Sequence, residues 1–139
     1  MRALVDTNVI LDVLLNREAF LPASADVWIA NEQKLFEGFV SAITPVNVYY
    51  VARSSKRDKV TARSLAATVL EVFQICPLSV AELRAAVPSP VSDYEDAVQV
   101  IQSLAAQVDV IVTRDVKDFA NSPIRAVTPA EFVKELQDK

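Results

Sequence analysis

Short apolar runs that end on polar residues alternate along the chain with segments whose apolar positions recur every three to four residues. Ala3-Leu4-Val5, ending on Asp6, and Asp109-Val110-Ile111-Val112-Thr113 predict buried strands. Gly38 to Ala42, Ile75 to Leu78 and Ile124 to Val127 predict three more. Asn8 can cap a helix running to about Leu15, and Pro22 opens a second with Ala25, Trp28 and Ile29 on one face. Thr44-Pro45 predicts a helix start, with Thr as cap and Pro in the first turn, running to about Ser54. Asp58 starts a helix carrying Leu65, Val69, Val72 and Phe73 at helical spacing. Ser79 with Glu82 and Ser92 with Glu95 read as capping boxes. The second opens a helix striped by Val98, Ile101, Leu104, Ala105 and Val108. Thr128-Pro129-Ala130-Glu131 starts a last helix. Strands alternating with helices predict an α/β domain: a mainly parallel central sheet with helices on both faces, in three layers.

At 139 residues the chain is expected to be one domain. Its 52% hydrophobic content excludes a disordered chain. No apolar run approaches the ~18 residues of a membrane span, and the N-terminus lacks the pattern of a signal peptide. One cysteine, Cys76, permits no internal disulfide, which fits a cytoplasmic protein; it reads as a small buried hydrophobe. With no histidine, Ser-His and Cys-His nucleophile pairs, an imidazole base and His-ligated zinc are excluded. With Gly38 the only glycine, so are Gly-rich phosphate loops. The net charge of −4 argues against strong non-specific nucleic-acid binding by the whole chain, though not against a local basic patch.

Open parallel sheets bind ligands beyond the carboxyl ends of their strands. Asp6 stands at one such end and Asp115 just beyond another, while Asp93, Glu95 and Asp96 gather at a helix start. Any one of these acids has an ordinary reading as a cap. Taken together, Asp6, Asp96 and Asp115 on one crevice would repel one another unless a cation sat among them. Oxygen-only ligands suit Mg²⁺ or Mn²⁺, and such a site can activate water at a phosphoryl centre. Spacing alone leaves the convergence and the substrate open.

At these residues the chain resembles the PIN-domain family, and within it toxin ribonucleases of the VapC type. The resemblance rests on Leu4-Val5-Asp6-Thr7-Asn8-Val9-Ile10, Ser41-Ala42-Ile43-Thr44, Asp93-Tyr94-Glu95-Asp96-Ala97-Val98-Gln99 and the segment from Val110 to Phe119. These pieces follow family order over almost the whole chain. The resemblance implies a single three-layer PIN-like domain and an endoribonuclease using one or two Mg²⁺ or Mn²⁺ ions. Metal-activated water would attack an RNA phosphodiester in line and leave a 5′-phosphate and a 3′-hydroxyl. Asp6, Asp96 and Asp115 take the catalytic and metal-binding positions, Asp93 an additional metal position. Asn8 and Thr113 match polar positions that hold the acids, and Asp118 is either a supporting or a turn-capping residue. The implied setting is a cytoplasmic homodimer, away from membranes, paired with a small antitoxin. One departure stands out: Asn47 occupies a position where the family commonly has an acid. An impaired site would make the chain a non-catalytic module binding RNA or protein.

Arg53, Lys56, Arg57, Lys59 and Arg63 crowd into one short stretch, readable as an RNA-tracking patch, a partner surface or a solvated turn. Tyr49 and Tyr50 read as core or interface residues ahead of base-stacking platforms, and Trp28 as core. Asp12 is expected to be exposed or Arg-paired; Arg17 and Arg114 are candidate partners for phosphate or carboxylate. A phosphoacceptor regulator on a similar sheet would need a lysine at a later strand end, and Lys117 is poorly placed for that.

Overall fold

In the computed structural model, which describes residues 1–139, the apolar runs form five strands: β1 (Arg2–Val5), β2 (Glu37–Ser41), β3 (Gln74–Cys76), β4 (Val110–Val112) and β5 (Ala126–Val127). They pair in the order β3-β2-β1-β4-β5, every pair parallel. Strand β1 is central. The chain steps outward from it to β2 and β3, then crosses back to lay β4 on its other side, with Leu4 beside Ile111. The connections after β1 and β4 therefore diverge, opening a crevice at their carboxyl ends.

The helices are α1 (Thr7–Leu14), α2 (Leu21–Glu32), α3 (Ile43–Ser54), α4 (Lys59–Val72), α5 (Val80–Ala86), α6 (Tyr94–Ala105) and α7 (Pro129–Gln137), with a 3-10 turn at Val116–Phe119. Alternation along the strands splits the apolar residues between two faces. Ala3, Val5, Val40, Val110 and Val112 join one core with residues of α1, α2, α3, α4 and α7. There Trp28 meets Phe73 edge-on at 5.2 Å, as Phe36 meets Phe132 at 4.8 Å. Leu4, Phe39 and Ile111 face the other way, into a core with α5 and α6. The three predicted layers are present. No helix is long and apolar enough to cross a membrane.

Several local expectations shift. Asp6, not Asn8, is the N-cap residue of α1. Helix α3 begins at Ile43, and the Thr44 hydroxyl turns inward to share a 2.8 Å hydrogen bond with that of Thr7. The Ser92–Glu95 box does not form: Asp93 caps α6 by accepting the Asp96 N–H at 2.9 Å, freeing Glu95. The buried face of α2 is Ser24, Val27, Trp28 and Ala30, with Ile29 exposed, and on that face the Ser24 hydroxyl donates to buried Asp12. Leu104 is also exposed. Gln102 takes the interior instead and donates to the carbonyls of Cys76 and Pro77 where β3 ends. The boxes at Ser79–Glu82 and Thr128–Glu131 form as expected, and Cys76 is buried.

Candidate active site

A cleft of about 390 Å³ lies at the carboxyl ends of β1 and β4. Asp6, Asp93, Glu95, Asp96, Asp115 and Asp118 contribute six carboxylates to its lining, alongside Asn8 and Asn47, and no Lys or Arg. The sequence-predicted acids are thus brought together, and the charge in the cleft is negative throughout.

Each acid is delivered by a different piece of local structure. Asp6 ends β1 and is only 7% exposed. Its Oδ1 accepts from Gln99 Nε2 at 3.1 Å and its Oδ2 from the Thr113 hydroxyl at 2.8 Å. The same Thr113 oxygen accepts the Asp115 N–H at 3.0 Å, so one side chain ties the ends of β1 and β4 together. Asn8, a residue into α1, donates to Asp115 Oδ2 at 2.9 Å. Asp96 sits in the first turn of α6, where Gln99 Nε2 reaches its Oδ1 at 3.5 Å. Asn47, on α3, donates to Glu95 Oε1 across the cleft at 2.9 Å.

Burial pushes the Asp96 carboxyl up to about 7, and repulsion from Asp6, Asp93, Asp118 and Glu95 adds to it. Asp6 is raised chiefly by burial, against the hydrogen bonds from Thr113 and Gln99. Glu95 is raised by burial, then by Asp6 and Asp93. Crowded carboxylates that resist ionisation are what a divalent cation would relieve. No three of them are grouped tightly enough to chelate one ion in this conformation. The donor chemistry nonetheless suits a hard cation: six carboxylates, with the amide oxygen of Asn8 in the same lining buried and unpartnered.

Asp12, left between exposure and pairing by the sequence, is fully buried and ion-paired. Arg114 Nε lies 2.8 Å from its Oδ2, and Arg17 Nη1 3.8 Å from its Oδ1. The Arg114 guanidinium also stacks 3.9 Å above the Phe20 ring. Arg114 thus points away from the cleft and anchors the chain beside Asp115.

The basic stretch divides. Arg53 and Arg57 donate to backbone carbonyls of the α3–α4 turn. Lys56 is exposed there with a left-handed backbone, φ 67°. Lys59 and Arg63 instead line a separate groove of about 660 Å³ with Pro45, Val46, Tyr49 and Tyr50. Tyr50 is exposed rather than core, edge-on to Tyr49 at 5.3 Å. Lys117 does not line the acidic cleft, which removes the phosphoacceptor arrangement.

Sequence reasoning missed Gln99 and gave Glu95 the wrong partner. The signal for Gln99 was a glutamine between the apolar Val98 and Val100, one turn after Asp96.

The sequence pattern that defines the PIN domain matches residues 2–117. No curated protein matches the chain significantly. Among solved structures, VapBC2 from Rickettsia felis, bound to a DNA fragment from their promoter, superposes with a TM-score of 0.66 at 17% identity, covering 92% of this chain and 98% of that one. A toxin–antitoxin complex from Klebsiella pneumoniae gives 0.63 at 25% identity, covering 91% and 97%. PAE2754 from Pyrobaculum aerophilum gives 0.65 at 16% identity, covering 100% and 98%.

Proposed function

The chain belongs to the PIN domain family, and on that premise we propose that it is a divalent-cation-dependent endoribonuclease, the toxin of a toxin–antitoxin pair. The observation that carries this reading is the cleft itself: six carboxylates and no cationic side chain at the point where the strand order reverses.

Asp6, Asp96 and Asp115 are the proposed catalytic acids and would hold Mg²⁺ or Mn²⁺, with Asp93 and Glu95 available at the rim. The cation supplies, when bound, positive charge against the scissile phosphate and a more acidic water. Thr113 and Asn8 fix the acids in place. Asp118 adds negative charge to the cleft, consistent with a supporting role. A water oxygen bonds to phosphorus as the P–O3′ bond breaks, the water proton passes to a cleft carboxylate, and the departing 3′-oxygen takes a proton from solvent. Lys59 and Arg63 are the proposed contacts for flanking phosphates, since their groove lies on the same helix α3 that lines the cleft. A small antitoxin and a second copy of this chain are the proposed protein partners. The likeness to a toxin–antitoxin complex from Klebsiella pneumoniae supports the first.

The test is cleavage of a panel of structured and single-stranded RNAs by the wild type and by Asp96→Asn, with Mg²⁺, with Mn²⁺ and with chelator. Metal-dependent cutting by the wild type alone is expected. Cutting that survives chelation, or an active Asp96→Asn, overturns the proposal. A second reading, a binding module without turnover, draws on the amide of Asn47 in the cleft. It predicts RNA or partner binding with no cutting by either protein.

A further inference from the structure

Gln99 is wholly buried, yet half of its amide has no protein partner. Its Nε2 donates to Asp6 Oδ1 at 3.1 Å and reaches Asp96 Oδ1 at 3.5 Å. Its Oε1 is buried and unsatisfied. Leaving an amide oxygen unpaired inside a protein is unfavourable, and an apolar side chain of the same volume avoids it. Packing therefore does not account for a glutamine here.

The position of the amide does. Asp6 ends β1 and Asp96 opens α6, on separate elements. Gln99 is the side chain whose donor reaches both carboxylates. Thr113 binds the Asp6 carboxylate but only the backbone of Asp115, and Asn8 binds Asp115 alone. A lysine in this place would neutralise the acids and compete with a cation. A glutamate would add to their repulsion. A neutral amide draws the two oxygens together while leaving their charge available.

Building on the reading of the cleft as a cation site, we infer that Gln99 is a positioning residue that sets the spacing of Asp6 and Asp96 for a divalent ion. Carboxylate ligands depend on hydrogen bonds from outside the coordination sphere, and removing such a partner costs about 10- to 100-fold in affinity. The same helix carries an internal comparison. Gln102 is equally buried one turn on, but its Nε2 serves the carbonyls of Cys76 and Pro77, away from the cleft.

The experiment is Mn²⁺ binding to the RNA-free protein, by calorimetry or by loss of the free-ion paramagnetic resonance signal. It compares the wild type with Gln99→Met, which keeps the side chain's length, and with Gln102→Met. Thermal melts in chelator confirm folding. About tenfold weaker Mn²⁺ binding is expected for Gln99→Met, and binding within twofold of wild type for Gln102→Met. Should Gln99→Met not fold, Gln99→Asn keeps the amide and loses the reach, and the same weakening is expected. Folded Gln99 variants that bind Mn²⁺ as the wild type does overturn this inference while leaving the cation site standing. Equal weakening in Gln102→Met overturns it too, by making the effect one of helix packing. A wild type that binds no Mn²⁺ overturns both the inference and the reading beneath it.

Discussion

The Thr113 hydroxyl donates to Asp6 Oδ2 at 2.8 Å, although the two residues are 107 positions apart in sequence. Thr113→Val keeps the shape and removes the hydroxyl. Asp6, almost wholly buried, then loses a donor and Asp115 N–H loses its acceptor. The expected cost is about 1–3 kcal/mol by urea denaturation, with RNA cleavage reduced. Thr113→Ser should retain most of both.

Breaking the buried pair at Asp12 should cost more. Asp12→Ala strips Arg114 and Ser24 of their shared partner. The expected loss is about 3–5 kcal/mol, read as a lower denaturant midpoint. A shift under about 1 kcal/mol would mean that water replaces the carboxylate at no cost.

The acids give the metal-free protein an unusual pH response. Asp96 titrates at about 7 in the fold and from 3.8 when unconstrained, and Asp6 and Glu95 are displaced in the same direction. Between those values the native state holds more protons than the unfolded state, so stability falls as pH rises. Because Asp96 is partly exposed, the effect is discounted to about 1–2 kcal/mol. In chelator, the melting temperature should drop by roughly 5 °C between pH 5 and pH 8. Asp96→Asn should flatten the drop. Mn²⁺ should oppose it most at the alkaline end, where the carboxylates are ionised.

Asn47→Asp replaces the donor facing Glu95 with a like charge. In chelator the variant should melt about 4 °C lower. The rise in melting temperature on adding Mn²⁺ should exceed that of the wild type. If both shifts are absent, position 47 is electrically silent and its amide neither helps nor hinders the cleft.

The two halves of the basic stretch should separate in RNA binding. Lys59→Ala with Arg63→Ala removes two cations from the groove. The dependence of log affinity on log salt should shallow by about 1.4 for single-stranded RNA. Arg53→Ala and Arg57→Ala, whose side chains serve the α3–α4 turn, should act on stability with little change in that slope.

The sequence was legible where a signal is local. Apolar runs located the strands, Ser79–Glu82 and Thr128–Glu131 marked helix starts, and acids at strand ends pointed to the crevice. It was opaque where a side chain answers to a distant one. Ser24 lies on the buried face of α2 with Val27 and Trp28, and its hydroxyl is satisfied there by Asp12. Thr44 abandons the capping role because Thr7 lies opposite. Glu95 leaves its box for Asn47, and the amide of Gln99 has meaning only once β1 and α6 meet. Periodicity reports which face is apolar, not which polar partner waits there.

The central place of β1 has a consequence for timing. Strand β1 is made more than a hundred residues before β4, its neighbour at the cleft. While the chain emerges from a ribosome, Asp6 waits for α6 to bring Asp96 and for β4 to bring Thr113 and Asp115. The acidic crevice cannot assemble on a nascent chain that stops short of those residues. Any activity of this cleft therefore waits until the chain has been made through Asp115, so translation itself delays the appearance of the acidic crevice.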